Sequence, residues 1–268
     1  MERFVSHSAQ RRQIILERLE RDSFVGVADL AGELDRSQMT VRRHLSRLES
    51  EGLVERSRGG ASATRRVRLQ FALYERSATQ RAEKEAIGRA AAGLVKGGER
   101  IILDTGTTTL AMARELRERD GISVVTTNLA IVSELLHSPG IECMLLGGMV
   151  RESTPDLYGP LLEDNLSRIH TDRAFIGCDG ISEAGVLMTN DPRVARASAL
   201  MIENSAYVVL LADSSKAKRN SFISFGTIAQ VDCIITDDRM PAALLDAARA
   251  AGVETVVAAT EHKKGSQS

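Results

Sequence analysis

Apolar residues recur along this chain in two different rhythms. Over the first seventy residues they fall at helical spacing in three short segments. Ile14, Ile15, Leu16 and Leu19 make a stripe between Arg11 and Arg21 that ends at Asp22-Ser23. Val27, Leu30, Ala31 and Leu34 make a second, closed by Asp35-Arg36. The third opens at Ser37, whose hydroxyl suits a helix N-cap, and runs as SQMTVRRHLSRLES until Gly52 supplies a stop. Beyond it Leu53-Val54-Glu55-Arg56 reads as a strand, Gly59-Gly60 as a turn and Arg65-Arg66-Val67-Arg68 as a returning strand.

The second rhythm begins at Arg100. Short apolar runs at Ile101-Leu103, Val124-Val125, Met144-Leu146, Ala174-Ile176, Tyr207-Leu211, Cys233-Ile235 and Thr255-Val257 are separated by amphipathic, helix-like stretches. Strands that are apolar throughout and alternate with helices predict a parallel sheet covered on both faces, a Rossmann-like α/β domain. Between the two rhythms, residues 72–97 are rich in Ala, Arg and Glu, lack Pro, and carry Ile87, Ala91 and Leu94 at helical spacing, which predicts a connecting helix. The expected organisation is a winged helix-turn-helix over 1–68, a linker helix over 69–99 and an α/β sensor domain over 100–268.

The charge distribution sharpens this division. Residues 1–68 hold 14 Arg, no Lys and 10 acidic residues, while the whole 268-residue chain is at −1, so a basic head precedes an acidic body. On the third helix Val41, Leu45 and Leu48 share one side, and Met39, Arg43, Ser46 and Arg47 lie roughly opposite. A helix that packs by one face and presents small polar groups and arginines on the other is what insertion into a DNA major groove requires. Arginine grips phosphates or pairs with guanine through two hydrogen bonds, while Ser37, Gln38 and Thr40 reach phosphates or adenine edges. A small three-helix domain whose arginines only solvate a face would show the same pattern.

Composition removes other classes. With 43% hydrophobic and 26% charged residues the chain is an ordinary globular one, and its longest apolar run, Ala206–Ala212, is far too short to span a membrane. A cytoplasmic location without membrane contact is expected. Cys143, Cys178 and Cys233 suit reduced core thiols, and His7, His44, His137, His170 and His262 are too scattered for a metal set and read as surface histidines. No G-x-G-x-x-G follows a strand and no P-loop is present, so no cofactor is implied.

Chemistry gathers instead where the strands end. After Ile101-Leu103 comes Asp104-Thr105-Gly106-Thr107-Thr108-Thr109, leading into a helix. Gly106 would permit a tight turn, threonine hydroxyls and first-turn N–H groups would point outward, and the helix dipole favours an anion such as phosphate. A threonine-capped helix start would use the same residues. Thr126-Thr127-Asn128, Gly147-Gly148 and Ala212-Asp213-Ser214-Ser215-Lys216 end three further strands, the last offering a point charge.

These residues also carry a resemblance. VADLAGELDRSQMTVRRHLSRLESEGLVERSRGGA is similar to the N-terminal domain of DeoR-family bacterial transcription regulators, matching at Ser37, Thr40, Val41, Arg42, Arg43, Leu45, Arg56, Gly59, Gly60 and Ala61. His44 stands where the family has Asp and Arg58 where it has His, and both changes add basic character. DTGTTT, TTN, LLGG, GCDGI and ADSSK resemble the family's sensor motifs, so the likeness runs from about Arg11 to Val257. It implies a sensor domain related to ribose-5-phosphate isomerase that responds to a phosphorylated sugar. DNA contact would fall to Ser37, Gln38, Thr40, Arg42, Arg43, Arg47, Arg56 and Arg58. Effector contact would fall to Asp104, Gly106, Thr107, Thr108, Thr109, Asn128 and Lys216, joined by the strand ends at Gly147, Gly148 and Asp179. Many members have Glu where this chain has Arg193, and an arginine there would favour a more anionic effector unless it simply lies in solvent.

The implied activity is repression of a sugar or carbohydrate catabolic operon through double-stranded operator DNA, by a homodimer or homotetramer whose two heads read paired half-sites. The alternative is a sugar-phosphate isomerase or deaminase built on the same sheet. Isomerisation needs a general base and a second acid near the substrate. Asp104 and Asp179 are the candidate bases, and both read more simply as partners of ligand hydroxyls.

Overall fold

The structure, a computed structural model, describes residues 7–22, 24–64, 76–151 and 154–260. The chain divides into two compact units, one ending at Glu75 and one beginning at Arg76.

The first unit holds α1 (His7–Asp22), β1 (Phe24–Gly26), α2 (Val27–Glu33), α3 (Gln38–Ser50), β2 (Val54–Ser57) and β3 (Gly60–Ala63). Its core is the set the periodicity marks: Ile15, Leu19, Leu30, Val41, Leu45 and Leu48 are all fully buried. The Ser37 hydroxyl accepts the Thr40 N–H at 3.3 Å and caps α3, an interaction typically worth ~1 kcal/mol. Gly52, at φ +70, lies just beyond the C-terminal cap of α3.

The wing differs from expectation. The strand returns at once, with Ser57 paired to Gly60, so the two-residue turn is Arg58-Gly59 with Gly59 at φ +88. Gly60 belongs to the strand, where a Cβ would come within 2.1 Å of the Val25 carbonyl of β1. The small residues of Gly60–Ala63 let β3 lie between β1 and β2 in an antiparallel three-stranded sheet. The expected return at Arg65–Arg68 lies outside the described residues.

The second unit is built on seven strands, all parallel, in the order β15-β14-β12-β9-β4-β5-β6. They are β4 (Arg100–Leu103), β5 (Ile122–Thr126), β6 (Ile141–Leu145), β9 (Arg173–Ile176), β12 (Val208–Leu211), β14 (Cys233–Asp237) and β15 (Glu254–Ala258). Every apolar run singled out in the sequence is one of them. The intervening α5 (Thr107–Leu116), α6 (Leu129–Leu135), α7 (Pro160–Arg168), α8 (Pro192–Glu203) and α9 (Ala242–Ala250) supply its helices. The segment expected as a connecting helix forms α4 (Arg81–Gly93), which packs on β12, β14, β15 and α5 and so is part of this unit.

Two small antiparallel additions escape the apolar pattern. β7 (Met149–Val150) pairs with β8 (Leu157–Tyr158), and β10 (Gly180–Ile181), β11 (Val186–Thr189) and β13 (Ile223–Thr227) form a second sheet.

Chain order within the large sheet reverses between β4 and β9: β5 and β6 continue to one side, β12, β14 and β15 to the other. In open parallel sheets ligands bind beyond the carboxyl ends of the strands at such a switch point. Among the described residues no helix is long and apolar enough to cross a membrane.

Candidate functional site

In the first unit α3 presents Ser37, Gln38, Met39, Arg42, Arg43 and Arg47 as exposed residues, with Thr40 half-buried, while the wing exposes Arg56 and Arg58. Met39 is 72% exposed. Among the described residues Arg42, Arg43, Arg56 and Arg58 form no ion pair, which leaves their charge available to phosphate. Arg56 donates to the Ser46 hydroxyl at 2.9 Å and so ties the wing to α3, whereas Arg47 is partly answered by Glu51 at 3.3 Å.

His44 corrects the sequence reading. It is buried, not on the surface, and adds no basic character: burial first, then Arg11, Arg43, Arg12 and Arg47, hold its imidazolium form below the usual range. The neutral ring fills space beneath the arginine face and its Nε2 has no hydrogen-bond partner.

In the second unit, hydrogen bonds lace the strand ends together at the switch point. The Asp104 N–H donates to the Phe175 carbonyl at 3.0 Å, and the Gly177 N–H donates to Asp104 Oδ2 at 3.1 Å. The Thr126 hydroxyl donates to the Leu103 carbonyl at 2.9 Å. Asp104 is only 4% exposed and its Oδ1 has no partner. Burial pushes its carboxyl up to about 6, against the N–H groups of Thr105 and Gly177 that favour the charged form. An unanswered acceptor in the core, at a strand end, is poised for a ligand hydroxyl.

The neighbouring loop is arranged differently from expectation. Gly106 has an ordinary φ of −85, so the turn into α5 needs no left-handed residue. The Thr109 hydroxyl points inward, 2.7 Å from both the Asp104 and the Gly106 carbonyls, and braces the loop by donating its one proton to either. Thr108 is buried, while Thr107 is half-buried and its hydroxyl donates to the Arg76 carbonyl at 3.4 Å. Asn128 caps α6: its Oδ1 accepts the Ala130 N–H at 2.8 Å and its Nδ2 donates to the Thr105 carbonyl at 3.4 Å. It holds the Thr105 loop from behind. Gly147 and Gly148 follow the edge strand β6, two strands from β4; a Cβ on Gly148 would come within 2.8 Å of the Tyr158 carbonyl, so close packing explains that glycine.

On the other side of the switch point Asp179 accepts the Asn190 N–H at 2.9 Å and the Thr189 hydroxyl at 3.0 Å. Burial raises its carboxyl, but these bonds, with Arg76 and Lys216, prevail and hold it below the usual range. Lys216 closes a short 3-10 turn after β12, with Asp213 as its buried cap. Beside them burial drives the Cys178 thiol up to about 12, which leaves it inert.

Several residues here carry no signal in the sequence. Arg151 and Asp156, both buried, form a two-pronged pair at 2.8 and 3.0 Å, and Arg151 also reaches Asp191 at 2.8 Å. Asp191 is held far below the usual carboxylate range by Arg193 and then Arg151. The Arg193 guanidinium is therefore committed, pinned to Asp191 at 2.6 Å and stacked over the Tyr158 ring at 4.8 Å.

The comparisons with known proteins cover both units. The family of the DeoR-like helix-turn-helix domain matches residues 11–67, and that of the DeoR C terminal sensor domain matches residues 79–238. The transcriptional repressor GlcR of Bacillus subtilis is 35% identical over 97% of this chain and 99% of its own length. The glycerol-3-phosphate regulon repressor of Escherichia coli is 31% identical over 88% of this chain and 93% of its own. The regulator GlpR of Haloferax volcanii is 33% identical over 92% and 97%. Among solved structures, ribose 5-phosphate isomerase A from Methanocaldococcus jannaschii aligns with 52% of this chain and 56% of its own, at 22% identity and a TM-score of 0.40.

Proposed function

The chain belongs to the DeoR family of DNA-binding transcriptional regulators, whose named relatives are repressors and not enzymes, and on that premise we propose that it represses a carbohydrate operon until a phosphorylated sugar occupies the switch point of its sheet. The observation that carries this reading is the buried, unpartnered Asp104 Oδ1 beside the first turn of α5. The N–H groups of Thr107 and Thr108 and the Thr108 hydroxyl meet the effector's phosphate, with Lys216 as counter-charge. Asp104 and Asp179 take its hydroxyls, and Thr109 and Asn128 keep the loop in shape.

On the DNA side Arg42, Arg43, Arg56 and Arg58 hold phosphates or guanine edges, with Ser37, Gln38 and Thr40 at the start of α3. One small head buries too little surface for useful affinity, so two or four copies of the chain act together on paired half-sites in the cytoplasm. Release then requires the effector to prefer the DNA-incompetent arrangement, typically by ~1 to 3 kcal/mol.

A thermal-shift screen of phosphorylated sugars tests the reading. A ligand at a hundred times its Kd adds ~2.7 kcal/mol to the stability of the folded state and raises Tm visibly. The same compound should release operator DNA, and Thr108→Val should weaken both responses. If no phosphorylated sugar moves Tm, the effector assignment is wrong.

A further inference from the structure

Lys84 lies in the first turn of α4, yet it is only 7% exposed. Its ammonium donates to the Arg76 carbonyl at 2.5 Å and to the Thr79 carbonyl at 2.7 Å, so it fastens residues 76–80, the segment by which the chain enters the sensor unit. Burial holds Lys84 down to about 8, with Asp213 favouring its charge and Lys216 and Arg76 opposing it. Three cations thus converge on one locality, which a dianion would relieve.

Gln80, at the far end of that segment, is held firmly by Arg239 at 2.8 Å, but the contacts of Arg76 with the site are weak. The Arg76 guanidinium, 46% exposed, stands 4.0 Å from Asp179 Oδ1, at the limit of an ion pair. Its carbonyl receives the Thr107 hydroxyl at a long 3.4 Å. One residue therefore touches both ends of the effector site, Thr107 at the phosphate end and Asp179 at the hydroxyl end. The Thr107 hydroxyl has a single proton, which it can give to the Arg76 carbonyl or to a ligand oxygen, but not to both.

Resting on the effector reading above, we propose that Arg76 is a ligand-contacting residue and that residues 76–80, anchored by Lys84, form the moving wall of the effector site. A phosphate on the first turn of α5 accepts the hydrogen bond of the Thr107 hydroxyl and draws the Arg76 guanidinium from Asp179 onto itself as a charge-assisted, two-pronged contact. Asp179 is freed in the same step for the sugar hydroxyls. Because the peptide chain runs on from Arg76 towards the head, occupancy of the site is reported to the segment that joins the two units.

The test uses the full-length protein and inorganic phosphate. Calorimetry measures phosphate affinity for the wild type, Arg76→Gln and Thr108→Val, and hydrogen exchange follows residues 76–84 and 105–110. Arg76→Gln should weaken phosphate binding about tenfold, the loss of one partly exposed charge-assisted contact, with Tm unchanged. Phosphate should slow exchange at 105–110 in both proteins, and alter exchange at 76–84 in the wild type alone. If Arg76→Gln binds phosphate as well as or better than the wild type while Thr108→Val binds it worse, the moving wall is overturned and the effector site stands. If phosphate neither binds the wild type nor protects 105–110, both fall.

Discussion

The arginines of α3 and the carboxylates of Asp104 and Asp156 are both charged groups, yet the first stand in solvent and the second lie in the core. Arg42 and Arg43 cost the head almost nothing to keep, because water answers them until DNA does. Asp104 and Asp156 are nearly or wholly out of water, and each must be compensated by neighbouring donors, the Gly177 N–H for one and the Arg151 guanidinium for the other. Binding and stability should therefore be separable in the head and entangled in the sensor.

The harshest test of that difference is Asp156→Ala. It leaves the buried Arg151 without its two-pronged partner, and removing one member of a buried pair typically costs ~3 to 5 kcal/mol. A thermal melt of the variant should show the sensor unfolding many degrees earlier; a shift within a degree or two would mean the pair is not a structural necessity. Asp104→Asn should act in the opposite direction. With its carboxyl raised from 3.8 to about 6, the folded state binds the proton more tightly than the unfolded chain, so stability falls as pH rises through that interval. At pH 7 a neutral isostere removes a penalty of up to ~3 kcal/mol, and Tm should rise while sugar-phosphate affinity drops. Melts at pH 4 and pH 7 check the sign: the gain should vanish at the lower value.

Arg43→Ala sharpens the other half of the comparison. Operator affinity measured by fluorescence anisotropy should fall by ~1 to 3 kcal/mol, with Tm and effector binding unmoved. A concurrent loss of Tm would show that the exposed face is not independent of the core. The smallest effect belongs to His44. Its charged form is disfavoured in the folded head, first by burial and then by Arg11, so the unfolded chain takes up the proton first. Head stability should decline as pH falls below about 6.5, the unfolded-state value, and His44→Leu should flatten that decline in melts recorded from pH 7 to pH 5.

What could be read in advance follows the same division. The face of α3 was legible because solvent and core separate cleanly on a wheel, and the five inner parallel strands because burial on both faces leaves each an apolar run; the edge strands β6 and β15 are partly exposed and show shorter ones. The elements that were not legible are short or half-buried. β1 has three residues, β7, β8 and β10 have two, and the wing strand Gly60–Ala63 is too small in its side chains to show alternation. Within the site, the loop at Asp104 was found from its place after a strand, but the inward turn of Thr109 depends on carbonyls no motif displays. His44 lies one position from Arg43 and reads in the sequence as a basic surface residue, because nothing in the motif shows that its ring turns inward. Lys84 was hidden in a helix whose Arg81 and Arg89 face solvent, and the Arg151, Asp156 and Asp191 network joins residues up to forty positions apart.

The reversal of strand order between β4 and β9 has a consequence for how the protein is made. The two strands that flank Asp104 end at Leu103 and Ile176, and Lys216 follows later still, so the ribosome must finish most of the polypeptide before the switch point is complete. The head, with a core of its own, is complete roughly a hundred and fifty residues earlier in a chain that folds from its N-terminus as it emerges. During synthesis the DNA-binding head therefore matures before the sensor unit.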